Sequence, residues 1–177
     1  MQKTAFCALL GGVYLYAQTA TDVPGSKIDE IVKTTSSQAV NDTQIRVVNI
    51  NDEYNIGVGV VHRARVAGKQ TPNAIEHSEI TEIYHVISGS ATLVTGGTME
   101  NSKPAAPDSQ VVKVLNGPSS TGGAILNGVS RKVTAGDVVV IPPNTPHWFS
   151  EITSDEVVYL VIRVDPHKVL PAGYSAK

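Results

Sequence analysis

Cysteine is nearly absent from this chain, which has one, Cys7, among 177 residues. Cys7 falls in a segment read below as removable, so the mature chain is expected to hold no thiol. That excludes disulfide staples, thiolate metal ligands and a cysteine nucleophile. Any metal would have to be bound by imidazole nitrogen and oxygen. Aromatic residues are scarce at 5%, and the formal net charge is only -2. A nucleic-acid surface needs a basic field and stacking platforms, and neither is present. Paired cations such as Arg63 with Arg65 and Arg131 with Lys132 read as solvated faces. Also missing are a phosphate-binding loop, a dinucleotide fingerprint and a Gly-x-Ser-x-Gly elbow.

Long apolar runs are missing too, except near the N-terminus. Residues 5–17 are apolar or small and uncharged, and Lys3 precedes them. The run is too short to cross a bilayer and matches the core of a signal peptide. Cleavage is expected after Ala17, with Ala20 as second choice. The protein is therefore expected to be exported, periplasmic or secreted, with no membrane partner once residues 1–17 are gone.

The rest divides into an extension (18–43), a main domain (44–165) and a C-terminal tail (166–177). In the extension, Ser26 is placed to cap a short helix starting at Lys27. Ile28, Ile31 and Val32 give that helix one apolar stripe for packing on the outside of the main fold. From residue 45 the pattern is β. Short Val/Ile-rich runs at 45–50, 54–66, 82–87, 91–95, 111–115, 137–141 and 156–164 are separated by Gly, Pro, Asn and Ser. Many short strands with such turns predict an all-β sandwich or barrel. Residues 96–110 and 117–128 read as loop insertions at its mouth or edge.

Two segments carry chemistry. In the first, His77 is followed by four residues and then Glu82, which opens a strand, and six further residues lead to Gly89. Alternation along that strand puts Glu82, Tyr84 and Val86 on one face and His85 on the other. In the second, Gly136 is followed by five residues and then Pro142, and a proline-rich turn leads to His147 at the start of the next strand. There Phe149 shares the inward face and Trp148 points out. His62 lies on the same face as Ile56, Val58, Val60, Ala64 and Val66, read as inward. It is either a hydrogen-bonded core histidine or a pocket group. His167, near the C-terminus, reads as solvated.

Together the two segments resemble the paired motifs of the cupin superfamily, over about residues 44–165. His77, Glu82 and Gly89 match the first motif, and Gly136, Pro142 and His147 match the second. The resemblance implies a double-stranded β-helix, or jelly-roll barrel, with a short N-terminal helix. It also implies one divalent metal ion, Fe(II), Mn(II) or Zn(II), held by His77, Glu82 and His147, and a homodimer. This chain departs from the pattern at three places. Ile75 stands at the first histidine of the first motif, Asn144 at a glycine of the second, and Glu151 at an asparagine. The remaining pair of imidazoles and one carboxylate is the ligand set of non-haem iron oxygenases. Glu76 or Glu79 would supply a fourth ligand if the loop bends inward.

The function expected from these features is a metal-dependent enzyme on a small organic molecule. A dioxygenase-type oxidoreductase is the first choice, and a lyase, isomerase or decarboxylase the next. Tyr84 or His62 would relay a proton, and Tyr84 and Phe149 would contact substrate. The alternative is a non-catalytic exported barrel that binds a small ligand or sugar.

Overall fold

The structure is a computed structural model describing residues 18–68 and 70–176. The expected signal segment, Cys7 included, lies outside the described residues.

Helix α1 spans Gly25–Thr35, beginning two residues earlier than a Ser26 cap would place it. Pro24 is the N-cap, in extended conformation, and its carbonyl accepts from the Lys27 and Ile28 amides. The fixed proline φ suits this boundary, and Ser26 lies inside the first turn. At the other end, the Thr34 and Thr35 hydroxyls donate to the Glu30 and Ile31 carbonyls. The expected stripe packs as read. Ile31 is buried with Ile45, Val60 and Val158, flanked by Ile28 and Val32.

The remaining elements are almost all strands: β1 (Val40–Ile50), β2 (Tyr54–Ala64), β3 (Ala74–His77), β4 (Thr81–Thr95), β5 (Thr98–Met99), β6 (Lys103–Pro104), β7 (Ser119–Gly122), β8 (Ile125–Leu126), β9 (Val129–Thr134), β10 (Val138–Ile141) and β11 (His147–Asp165). All pairings are antiparallel. β1, β2, β11, β3, β7 and β6 follow one another across the main sheet, while β4 pairs with β9, β10 and β11. The two long strands β4 and β11 hold this rolled barrel together. Their register shifts at Phe149/Glu151 and Ile152/Val157, where the ladder bends.

Several boundaries differ from the sequence reading. Runs 82–87 and 91–95 are one strand, because Gly89 acts as a bulge rather than a turn. Its φ is +79°, and a Cβ there would sit 1.9 Å from the Glu156 carbonyl oxygen. β9 was not expected, since only Val133 in it is buried. Run 111–115 is not a strand but a π-helical turn, Val111–Asn116. A short apolar run between turn residues does not distinguish the two, and here one side of it is needed against the barrel. The insertion around this turn is ordered by strand pairing: β7 joins β6 to β3 in the main sheet, and β5 pairs with β8 in a separate two-stranded sheet. The extension gives its last residues to β1, which begins at Val40. The tail returns along β1, where the Val47 amide donates to the Tyr174 carbonyl and the Val47 carbonyl accepts from the Gly173 amide, and Leu170 is buried.

The interior has an apolar body of Val61, Val86, Ala91, Leu93, Val133, Val139, Ile141, Ile152, Val157 and Val161, topped by Tyr84, Phe149 and Tyr159. Each of these aromatics adds a large apolar area to the core.

Candidate metal centre

His77 ends β3, Glu82 lies near the start of β4, and His147 opens β11. The barrel brings these ends together through pairings of His147 with Ile75 and of Ile141 with Glu82. The turn between β10 and β11 depends on Asn144, whose φ is +57° and whose amide donates to the His77 carbonyl at 2.7 Å. Asparagine tolerates this left-handed conformation, which explains how it replaces a glycine at that position.

One ligand atom from each of His77, Glu82 and His147 lies within 4.8 Å of the other two, and all three residues are buried. The Nε2 atoms of His77 and His147 stand 3.5 and 3.4 Å from Glu82 Oε2. Hydrogen bonds behind the rings set their tautomers. His147 Nδ1 donates to the Thr145 carbonyl at 2.9 Å. The Ser119 hydroxyl donates to the Gly117 carbonyl at 2.8 Å, so its oxygen accepts from His77 Nδ1, also at 2.8 Å. Each neutral ring therefore presents a bare Nε2 lone pair. Two lone pairs converging on a carboxylate oxygen are electron-rich neighbours that call for a cation between them. The donor set thus fits a divalent metal bound by nitrogen and oxygen.

Glu82 is the hub. Its Oε2 accepts from the Tyr84 hydroxyl at 2.7 Å, and its Oε1 from Arg163 Nε at 3.2 Å. Burial opposes its ionisation, but in the absence of a metal the imidazoles of His77 and His147, when they carry a proton on Nε2, and the charge of Arg163 hold its pKa well below the ordinary carboxylate range. Burial lowers the pKa of His77, which favours the neutral ring a metal needs. Burial, and then the Glu82 charge, push the Tyr84 phenol well above its ordinary value, so it stays a donor. Arg163 itself is fully buried. It donates to Gln44 Oε1 at 2.7 Å and to Asp42 Oδ2 at 2.6 Å. Gly57 and Gly59 make room for this group: a Cβ at Gly59 would meet Arg163 Nη1 at 2.9 Å, and one at Gly57 would meet Gln44 Nε2 at 2.7 Å.

The predicted residues separate clearly. Tyr84 lines the cavity as expected, while Phe149 lies beside it, its ring 6.4 Å away and stacked, and lines an outer pocket instead. His62 is the hydrogen-bonded buried histidine of the first alternative and not a pocket group or proton relay. It is buried on the opposite face of β2, the face under α1, where its Nε2 meets Glu156 at 2.9 Å. The face read as inward is the outer one. Its apolar side chains are covered by the helix, while the inner face carries two glycines and therefore looks featureless in a hydrophobicity pattern. Glu79 pairs with His167 at 3.6 Å, and neither Glu79 nor Glu76 joins the cluster among the described residues. His85 and Glu151 are exposed, and Ile75 lines the cavity as an apolar wall. Arg63 is not on a solvated face. Its Nε donates to the Tyr159 hydroxyl at 3.1 Å and its guanidinium lies 5.1 Å above the Phe149 ring, whereas Arg65 is exposed. Sequence reasoning missed Arg163, Asp42, Ser119 and Asn116. Only Arg163 left a signal, as a lone charge inside the apolar run 157–164.

A family model described as Cupin matches residues 26–174. Among solved structures, an uncharacterized conserved protein with a double-stranded β-helix domain from Klebsiella pneumoniae is similar at 18% identity. The match covers 88% of this chain and 93% of that one, with a TM-score of 0.52. A cupin family protein from Methanocaldococcus jannaschii matches at 15% identity over 73% of this chain and 85% of its own, with a TM-score of 0.42. The Lactobacillus farciminis oxalate decarboxylase matches at 16% identity over 73% of this chain and 30% of its own, with a TM-score of 0.44. At such identities the likeness is one of fold. No curated protein matches the sequence.

Proposed function

The chain belongs to the cupin family, and on that premise we propose that it is a metal-dependent enzyme acting on a small organic molecule, of dioxygenase type. The observation that carries this reading is the convergence of two imidazole nitrogens and one carboxylate oxygen beside a cavity of about 290 Å³. Three protein ligands on one side of an ion leave positions for substrate and for dioxygen. Fe(II), Mn(II) or Zn(II) would be held by His77, Glu82 and His147. When bound, an iron ion would supply the redox chemistry, with dioxygen as oxidant.

The chain's own residues support such chemistry. Arg163 fixes Glu82 through Oε1 and leaves Oε2 to face the imidazoles. Tyr84 holds a proton on Oε2 at the edge of the cavity, in reach of a substrate oxygen. Ile75 keeps one wall apolar and without a donor.

Metal content by mass spectrometry, wild type beside His147→Ala, tests the site, and oxygen uptake by iron-loaded protein tests the reaction. Near one equivalent in the wild type and almost none in the variant is expected. A wild type that takes up no Fe(II), Mn(II) or Zn(II) would defeat the reading in favour of a metal-free binding barrel. Metal binding without oxygen uptake, across a substrate panel, would favour the lyase or isomerase class.

A further inference from the structure

Arg63 stands where two spaces meet. The inner cavity, beside His77, Glu82 and His147, and an outer pocket of about 320 Å³ share Arg63, Asn73 and Val40 as lining. Its position is fixed from behind by the Nε bond to Tyr159 and by the Phe149 ring beneath. Those contacts leave the two terminal amino groups of the guanidinium without a protein acceptor. No carboxylate among the described residues forms an ion pair with Arg63. The acid that shares the cavity with it, Asp42, is engaged through Oδ2 with Arg163 at 2.6 Å. Arg63 is only partly buried, so these donors stay open to the cavity, and a guanidinium already held by Tyr159 and Phe149 offers an anion a preorganised pair of donors.

A second residue marks a polar contact of the opposite kind on the same cavity wall. Asn116, on the π-helical turn, is buried at 5% exposure and lines the inner cavity, and its Oδ1 has no hydrogen-bond partner. A buried amide oxygen without a donor is rare, and it calls for a ligand that also carries a hydroxyl.

The charge balance agrees. The four charged groups lining the cavity or bonded to Glu82 cancel, with Glu82 and Asp42 against Arg163 and Arg63. A divalent ion between neutral imidazoles would then leave the site strongly positive.

We infer that the cavity binds a small organic acid. Its carboxylate takes the two free amino groups of Arg63, Asn116 Oδ1 accepts from a hydroxyl on its body, and that body reaches towards the His77, Glu82 and His147 centre. The planar fork of arginine matches a carboxylate with two parallel hydrogen bonds. The far end of this pose rests on the metal-centre reading above. The contact with Arg63 does not, and it is testable on metal-free protein.

Trp148 is the single tryptophan and lines the outer pocket beside Arg63, so its fluorescence reports occupancy. Lactate, malate and salicylate are titrated against their uncharged amides, and inorganic phosphate alongside, on the full chain with and without Mn(II). At least one acid is expected to bind about tenfold or more tightly than its amide. Arg63→Gln should erase that preference, Arg63→Lys should retain part of it, and Asn116→Ala should weaken acid and amide alike. Equal binding of acid and amide by the wild type would overturn the inference, and so would a preference that survives Arg63→Gln. Tighter binding of phosphate than of every acid would also overturn it. The wild-type comparison decides the matter even if a variant fails to fold. Metal content measured on the same samples separates the two readings. Acid preference without metal uptake sinks the metal centre alone, and metal uptake without acid preference sinks the organic-acid site alone.

Discussion

Along β2, Ile56, Val58, Val60 and His62 stand on the outer face, whereas Asn55, Gly57, Gly59, Val61 and Arg63 face the interior. Val60 packs under α1 while Val61 belongs to the barrel core. The outer set is the more hydrophobic, yet the inner set borders the candidate metal centre. The inner face has traded side-chain volume for space, and Arg163 with its partners fills that space. Hydrophobic periodicity identifies a covered face, and here a helix covers the outside. The chemistry lies on the side where the strand is nearly bare.

The comparison breaks most completely at Arg163. Arg163→Met would leave Glu82 and Asp42 near or inside the core without their shared cation. Removing one partner of a buried pair costs about 3–5 kcal/mol. Urea unfolding of the metal-free variant should show a loss of that order, and metal affinity should fall with it. An unchanged midpoint would mean that the interior is wetter than its burial suggests.

Gly59→Ala should come next. The added methyl meets Arg163 Nη1 and the Thr43 carbonyl, each at 2.9 Å. Overpacking of this kind costs about 1–3 kcal/mol. Gly25→Ala, which meets nothing within 4 Å, is the control and should be near neutral.

Acidification should weaken the inner face further. Glu82 has a pKa held well below the carboxylate range, so its contribution is present above the unfolded value and is lost as pH falls through the folded one. His77 is also lowered, by burial, so it too is more readily protonated in the unfolded chain and adds a loss of the same sign. The metal-free protein should therefore lose stability continuously as pH falls from the ordinary imidazole range into the acid range. A thermal-denaturation series that is flat over that interval would contradict both assignments.

The smallest effect is expected outside. His62→Gln removes the bond to half-exposed Glu156, at a cost of about 1 kcal/mol, and should leave metal content unchanged. Loss of metal in this variant would return His62 to the site.

The spacing of His77, Glu82 and Gly89, and of Gly136, Pro142 and His147, through its resemblance to the cupin motifs, sufficed to single out the three residues that the structure brings together, and the short Val/Ile-rich runs gave the all-β class. These relations are local, since a strand's alternation and a glycine or proline turn act within a few residues. Tyr84 followed from the same alternation. Asn144 looked like a departure, and its left-handed backbone turns out to keep the turn intact.

Other features were decided only in three dimensions. The bond from Arg163 to Glu82 joins residues 81 apart, and that from Arg163 to Asp42 joins residues 121 apart. Nothing in either neighbourhood encodes the partner. The face of β2 that turns inward depends on α1, which arrives from a separate part of the chain to cover the apolar side. The insertion's course, which brings Ser119 behind His77 and Asn116 to the cavity, follows from strand pairing with β3. Short-range spacing determined which groups could hold a metal. The closing of the barrel decided which charges surround it, because buried charges act across space and not along the chain.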